Sequence, residues 1–319
     1  MPSLSVVRAT NTSFTPSYVP VMIVTGGTSG IGQGVVEKFA ELLHGRAHII
    51  LVGRNAAAAE AIIASLPPVA KDSTYEFIQA DLALVKNAHQ VAKDIAQRVP
   101  KVNFVVHCAG YVELGPRKET EEGLDAMLAI RYYQRAALTC DLLPLLQKAK
   151  DNGEMASVLT VLAAGQAPAV DLDDLGLKKT YSSFRAMTQS IAYTDLVVAV
   201  SFLSIAAGVW VLINFKEFAE RNPDIGFTHI FPGIVNTPIY TSSKWHFKII
   251  LFLMRPFLWL MSTKMDDCAN YMIYALLDGE KGMHRRNETS TDIGMKGFPT
   301  QKDAQKVLWE HTQKVINVD

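Results

Sequence analysis

Cysteine is scarce in this chain of 319 residues, and neither sign of charge is in excess. Cys108, Cys140 and Cys268 stand far apart, with neither disulfide nor metal-ligand spacing. That pattern excludes a disulfide scaffold and a cysteine-built metal site, and it fits a reducing compartment with each thiol buried for packing. Lysine and arginine number 31 against 31 aspartates and glutamates, with no long run of either sign. A polyanionic partner such as nucleic acid is therefore not expected. There is no internal repeat, and no linker marks a second domain. The first twenty residues are rich in Ser, Thr and Pro and lack an apolar stretch after a basic start. They read as an irregular lead-in, not a signal peptide, and the expected location is the cytosol.

What the chain does have is alternation. Apolar, strand-like runs at 21–25, 47–52, 75–80, 102–107, 157–162 and 227–231 are separated by helical spacing at 30–43, 56–65, 85–98 and 121–148. Strands alternating with helices predict an α/β fold: a single doubly wound parallel sheet with helices on both faces and ligands at the carboxyl ends of its strands. One domain is expected over 20–290, followed by a tail and a helix near 301–315 within 291–319.

One segment breaks this rhythm. Residues 196–215 run LVVAVSFLSIAAGVWVLINF, twenty residues without a charge, long and apolar enough for a membrane span. A span here would place the strand at 227–231 across the bilayer from its neighbours in the same sheet. Two readings stay open, a buried or interfacial helix and a segment translated from a retained intron. Deleting roughly 199–216 joins two helical halves into one helix of ordinary length.

Thr25-Gly26-Gly27-Thr28-Ser29-Gly30-Ile31-Gly32 follows the first apolar strand and leads into the first helical segment. A strand, a glycine turn and a helix start make a phosphate site. Glycines admit a pyrophosphate close to the backbone, and the helix's unpaired N–H groups and positive dipole end face it. After the second strand comes Arg54, where an acidic residue would bind the ribose hydroxyls of NAD. A guanidinium instead pairs bidentately with a 2′-phosphate, so Arg54 points to NADP(H).

The spacing of Thr25, Gly26, Gly30 and Gly32 resembles the short-chain dehydrogenase/reductase family, and the resemblance extends over roughly residues 20–290. It implies a Rossmann fold, nicotinamide-cofactor binding and oxidoreductase activity, often in dimers or tetramers, so a homo-oligomer is a candidate partner state. By the same resemblance Asp81 would contact the adenine; its other reading is an N-cap for the next helix. His107-Cys108-Ala109-Gly110 stands where the family usually has Asn-Asn-Ala-Gly. Ala109 and Gly110 keep the close approach to the cofactor, and His107 and Cys108 read as packing residues. Pro232-Gly233-Ile234-Val235-Asn236-Thr237 is similar to the family's turn that holds the nicotinamide carboxamide with backbone and a threonine hydroxyl.

The family's chemistry uses a Tyr as proton donor, a Lys four residues on, a Ser that orients the substrate oxygen, and an Asn on the helix after the fourth strand. In this chain Ala163 stands at the Ser position and Arg131 at the Asn position, at the cofactor end of its helix. Tyr181 and Arg185 form Tyr-x-x-x-Arg, and Arg is not equivalent to Lys in geometry or in titration. Aligned instead on Thr194-Asp195-Leu196, the helix puts Ala186 and Ser190 at the Tyr and Lys positions. Tyr181 with Arg185 is the catalytic expectation, and a nucleotide-binding pseudoenzyme is the alternative. Arg131, Tyr132, Tyr133 and Arg135 read as a surface-covering cluster more readily than as a substitute polar site. Asp171, Asp173 and Asp174 read as a solvated loop, and no metal is expected. Residues 245–260, apolar and aromatic, sit where the family has its substrate lid and fit an apolar small molecule such as a terpenoid, steroid or polyketide. Contact with a membrane surface, suggested by Lys244, Lys248 and Arg255, is the less favoured account.

Overall fold

A computed structural model of the chain describes residues 1–206, 224–235, 240–241, 262–279 and 281–316. Seven strands pair in the order β3-β2-β1-β4-β6-β7-β9, every pairing parallel. They are β1 (Val21–Thr25), β2 (His48–Gly53), β3 (Thr74–Gln79), β4 (Phe104–His107), β6 (Ser157–Val161), β7 (Gly226–Ile230) and β9 (Gly282–Arg286). Two short segments, β5 (Val112–Glu113) and β8 (Tyr240–Thr241), pair beyond the carboxyl ends of the sheet's strands.

The strands are near-continuous apolar runs because both faces are covered. Along β1 and β2 the alternation splits residues between two cores. Val21, Ile23, Ile50 and Val52 face α4 (Val85–Arg98), α6 (Gln134–Asp151), α7 (Ser183–Ala206) and α9 (Ala304–Ile316). Met22, Val24, Ile49 and Leu51 face α2 (Gly30–Leu42), α3 (Ala56–Ser65) and α8 (Met265–Leu277). The chain reverses its winding between β1 and β4, which opens the ligand crevice at that edge.

Two elements differ from the sequence reading. The N-terminal segment is not irregular: Leu4–Thr12 forms α1, with Ser3 accepting from the N–H of Val6 at its start. Its helical character rests on tertiary contacts, since Val7 and Asn11 are buried and Asn11 Nδ2 donates to Asn270 O on α8 at 2.9 Å. Strand β9 was not anticipated, because GMHRR lacks an apolar run. Its arginines are nonetheless buried, each with a carboxylate partner: Arg285 with Asp195 and Arg286 with Asp278.

The helix at 196–206 continues α7 without interruption, and 207–215 of the apolar segment lie outside the described residues. Among the described residues no helix is long and apolar enough to cross a membrane.

Candidate nucleotide and active site

The loop after β1 is held by backbone geometry. Gly26 has φ +70°, and a Cβ there would stand 2.7 Å from the backbone N of Ala109. A Cβ on Gly32 would meet Gly26 O at 2.3 Å. The loop therefore folds onto the end of β4 only with glycine at both places. Thr25 is fully buried, and its Oγ1 accepts from Ala109 N at 3.4 Å. Thr28 sits over Gly53 at the end of β2. Ser29 begins α2 in extended conformation with no side-chain cap, so the first-turn N–H groups around Gly30, Ile31 and Gly32 are left for a ligand.

Arg54 and Asp81 are brought together at the carboxyl ends of β2 and β3. They line a cavity of about 300 Å³ with Ile78, Gln79, Asn87 and Gln90. Gln79 Nε2 donates to Arg54 O at 3.0 Å, which ties the two strand ends. Asp81 does not cap α4. Its Oδ1 accepts from Ala83 N at 3.0 Å, while Glu122 takes the helix-start N–H groups of Val85 and Lys86 at 2.7 and 2.9 Å. That cap arrives from a distant loop, so no local pattern announces it.

On the other side of β4, Ala109 is buried, and Gly110 lies against the Arg131 and Arg135 side chains. The cluster at 131–135 is not a surface cover. All four side chains are buried, in a π-helical turn (Ala129–Tyr133) and the start of α6. Tyr132 and Tyr133 bond Thr312 Oγ1 at 2.6 Å and His311 Nε2 at 2.8 Å, anchoring α9. Arg131 Nε donates to Ser190 Oγ at 3.0 Å on α7, and Arg135 donates to Val161 O and Ala109 O. Buried His107 bonds Thr139 Oγ1 at 2.9 Å, and burial, then Arg135, pulls its imidazole down to about 3.

The pairing of Tyr181 with Arg185 does not form. Tyr181 precedes α7, and Arg185 Nη2 donates to Asp171 Oδ2 at 2.6 Å. Burial and the Asp125 and Glu113 charges raise the Tyr181 phenol, and the cation that opposes them is Arg117. Asp171 thus has a partner in Arg185. Asp174, unlike Asp171, is buried, accepting from the N–H groups of Lys178, Lys179 and Thr180. Ala186 is fully buried on α7, and Ala163 lies two residues beyond the end of β6.

Behind Ala163 lies a cluster that sequence reasoning missed. Asp195 on α7 accepts from His229 Nδ1 at 2.6 Å and takes two bonds from Arg285 at 2.9 and 2.8 Å. His229 Nε2 accepts the backbone N–H of Ala163 at 3.2 Å, which assigns the ring proton to Nδ1. Burial pushes the Asp195 carboxyl up, the contacts with His229 and Arg285 pull it down, and the net shift is downward. The available signal was an aspartate in an otherwise apolar helical stretch.

Ile234 is exposed, and its carbonyl accepts from Thr263 N at 2.9 Å, beside the bridge from Val235 to Thr263. Thr237 and residues 245–260, the expected substrate lid, lie outside the described residues. Among the described residues, no three His, Cys, Asp or Glu side chains are grouped to hold a metal ion.

Comparison with known proteins follows the same outline. A family model described as short chain dehydrogenase matches residues 20–169. The chain is 30% identical over 307 residues to the short-chain dehydrogenase/reductase SAT2 of Stachybotrys chartarum, covering 92% of this chain and 82% of that protein. It is 28% identical over 311 residues to the human polyprenol dehydrogenase, covering 96% and 87%. Among solved structures, a short-chain dehydrogenase from Streptomyces avermitilis superposes with a TM-score of 0.57 at 20% identity, covering 94% of each chain.

Proposed function

The chain belongs to the short-chain dehydrogenase/reductase family, and from that premise we propose that it is an NADP(H)-dependent oxidoreductase acting on a carbonyl or alcohol of an apolar small molecule. The observation that carries this reading is the uncapped start of α2 behind the glycine turn, with Thr28 of that turn lying over Gly53, the residue before Arg54. The residues fit a dinucleotide. The glycine turn leaves room for a pyrophosphate only because Gly26 and Gly32 carry no Cβ. Thr25, Thr28, Ser29, Gly30 and Ile31 shape that turn, Arg54 would take a 2′-phosphate, and Asp81 the adenine edge. Ala109, Gly110, Arg131, Ile234, Val235 and Thr237 would border the nicotinamide end. When bound, the cofactor supplies or accepts the hydride. An apolar substrate is supported by the name of the human relative, a dehydrogenase of polyprenol.

A second reading has its own support, a nucleotide-binding pseudoenzyme. Ala163 and Ala186 offer no acid, and Arg185 is committed to Asp171. Titration with NADPH and NADH, followed by NADPH oxidation with a panel of apolar ketones and aldehydes, separates the two. The oxidoreductase reading expects turnover; tight NADPH binding with no oxidation on any member selects the pseudoenzyme. Arg54→Asp should shift the NADPH-to-NADH preference by about 10- to 100-fold, the worth of a charge-assisted bond pair. Unchanged NADPH affinity in that variant removes the 2′-phosphate role.

A further inference from the structure

The backbone N–H of Ala163 lies just past the bond from Leu162 N to Ile230 O, at 2.9 Å, that closes the ladder between β6 and β7. A backbone donor beyond the end of a sheet must find its partner elsewhere. Here the partner is a side chain of the neighbouring strand, His229, whose Nε2 accepts at 3.2 Å. The ring can accept there only while its proton sits on Nδ1, where Asp195 holds it at 2.6 Å. A second arm leaves the same carboxylate. Arg285 gives Nε and Nη2 to Asp195, and its Nη1 donates to Gly294 O at 2.6 Å. The segment held in this way clasps the loop after Ala163. A Cβ on Gly165, at φ +80°, would stand 2.5 Å from Ile293 Cδ1, and one on Gly297 would stand 2.3 Å from Gly165 O.

The cluster is wholly removed from water: the side chains of Asp195, His229 and Arg285 are 0% exposed, while Ala163 and Gly165 are only half-buried. An ion pair this deep gains little over apolar packing of the same volume, because both charges lose their hydration. What it supplies is direction, since each bond fixes the next. The loop it directs lies at the carboxyl end of β6, beside the end of β4, and Arg135 ties the two by donating to Val161 O and Ala109 O. We propose that Asp195, His229 and Arg285 are positioning residues, which set the backbone at 163–165 against which the substrate carbonyl or alcohol is aligned. This rests on the oxidoreductase reading and deepens it, since Ala163 has no polar side chain with which to aim a substrate.

Two substitutions at one position separate positioning from stability. His229→Asn keeps an amide donor toward Asp195 and deletes the acceptor for Ala163 N–H, whereas His229→Gln carries an oxygen out to where Nε2 stood. The full chain and both variants are compared in NADPH oxidation with the panel ketone that the unmodified chain reduces fastest. Exchange of the Ala163 amide proton is followed by NMR with isotope-labelled alanine, the signal being assigned by its loss in Ala163→Gly. His229→Asn should speed that exchange by about 10-fold or more and raise the ketone KM about 10-fold, with kcat within about threefold and NADPH affinity within about twofold. His229→Gln should bring exchange and KM back to within about threefold of the unmodified chain. Loss of folded protein lowers the apparent kcat and leaves KM alone, so that result, or an equal rise of KM in both variants, overturns the proposal. So does an Ala163 amide that exchanges in the unmodified chain as fast as an unprotected one. Should neither variant fold, Gly165→Ala decides, because it displaces the same loop from outside the cluster; an unchanged ketone KM there overturns the proposal. If the unmodified chain oxidises no NADPH with any ketone, the oxidoreductase reading fails. The exchange rates still decide the positioning, and equal exchange in the unmodified chain and His229→Asn overturns it.

Discussion

The nucleotide side of the sheet and the substrate side are built on different kinds of atoms. Around β1, β2 and β3 the working groups are mainly backbone N–H and the space left by missing Cβ atoms at Gly26 and Gly32. Around β6, α7, β7 and β9 the organising groups are side chains: the Asp195–His229–Arg285 cluster, and Arg131 resting on Ser190. A backbone site survives as long as the turn does, so it stays visible as a glycine spacing. A side-chain site can be rebuilt while the same strands and helices persist.

The strongest way to break this contrast is at Asp195. Asp195→Ala leaves the Arg285 guanidinium buried without its carboxylate, which should cost about 3–5 kcal/mol in urea unfolding. A loss under 1 kcal/mol would mean that the cluster does not hold the substrate side together. The sign with pH follows from the lowered Asp195 carboxyl. Its contribution is complete above the ordinary aspartate value of about 3.9 and is lost as pH falls through the lower folded value. The stability gap between the unmodified chain and Asp195→Ala should therefore be flat from neutrality down to about pH 4 and close below it. A gap that closes between pH 6 and 7 would place the titrating group elsewhere.

Gly26→Ala tests the nucleotide side. The collision with Ala109 and the φ of +70° should weaken NADPH binding by about 10-fold or more in a fluorescence titration. Binding unchanged within twofold would show that the turn tolerates a side chain and that the cradle lies elsewhere. A smaller effect is expected at Glu122. Its replacement by Ala removes the cap on Val85 and Lys86 and should cost about 1 kcal/mol in the same unfolding assay. No change would mean that water serves those N–H groups equally well. The smallest effect is expected at Tyr181. With Arg185 turned to Asp171, Tyr181→Phe should alter any NADPH oxidation rate by less than about threefold; a loss of about 100-fold or more would restore Tyr181 as proton donor.

Most strand and helix positions were legible because burial on two faces writes a strong apolar signal. Helix α4 at 85–98 and strand β1 at 21–25 coincide with their sequence-derived limits. Strand β9 was not legible, because its arginines are buried by pairing, Arg285 with Asp195, 90 residues away along the chain, and Arg286 with Asp278 just after α8. Helix α1 was missed for a similar reason: Arg8 and Asn11 find their partners on α8. At the site, Arg54 and the glycine loop could be read locally. The burial of Arg131 and Arg135, the role of Ser190 and the turning of Arg185 toward Asp171 could not, since each depends on which neighbour a long side chain reaches.

By itself the sequence determined the alternating α/β order, the glycine turn and the basic residue at the end of β2. All three depend on interactions between residues close together, or on a hydrophobic period that needs no knowledge of partners. Only the tertiary structure decided where the charges went. A charge is tolerated in the interior only beside the groups that hold it, and here those come from strands and helices distant in the chain. Asp195, His229 and Arg285 meet for that reason, and so do Arg131 and Ser190.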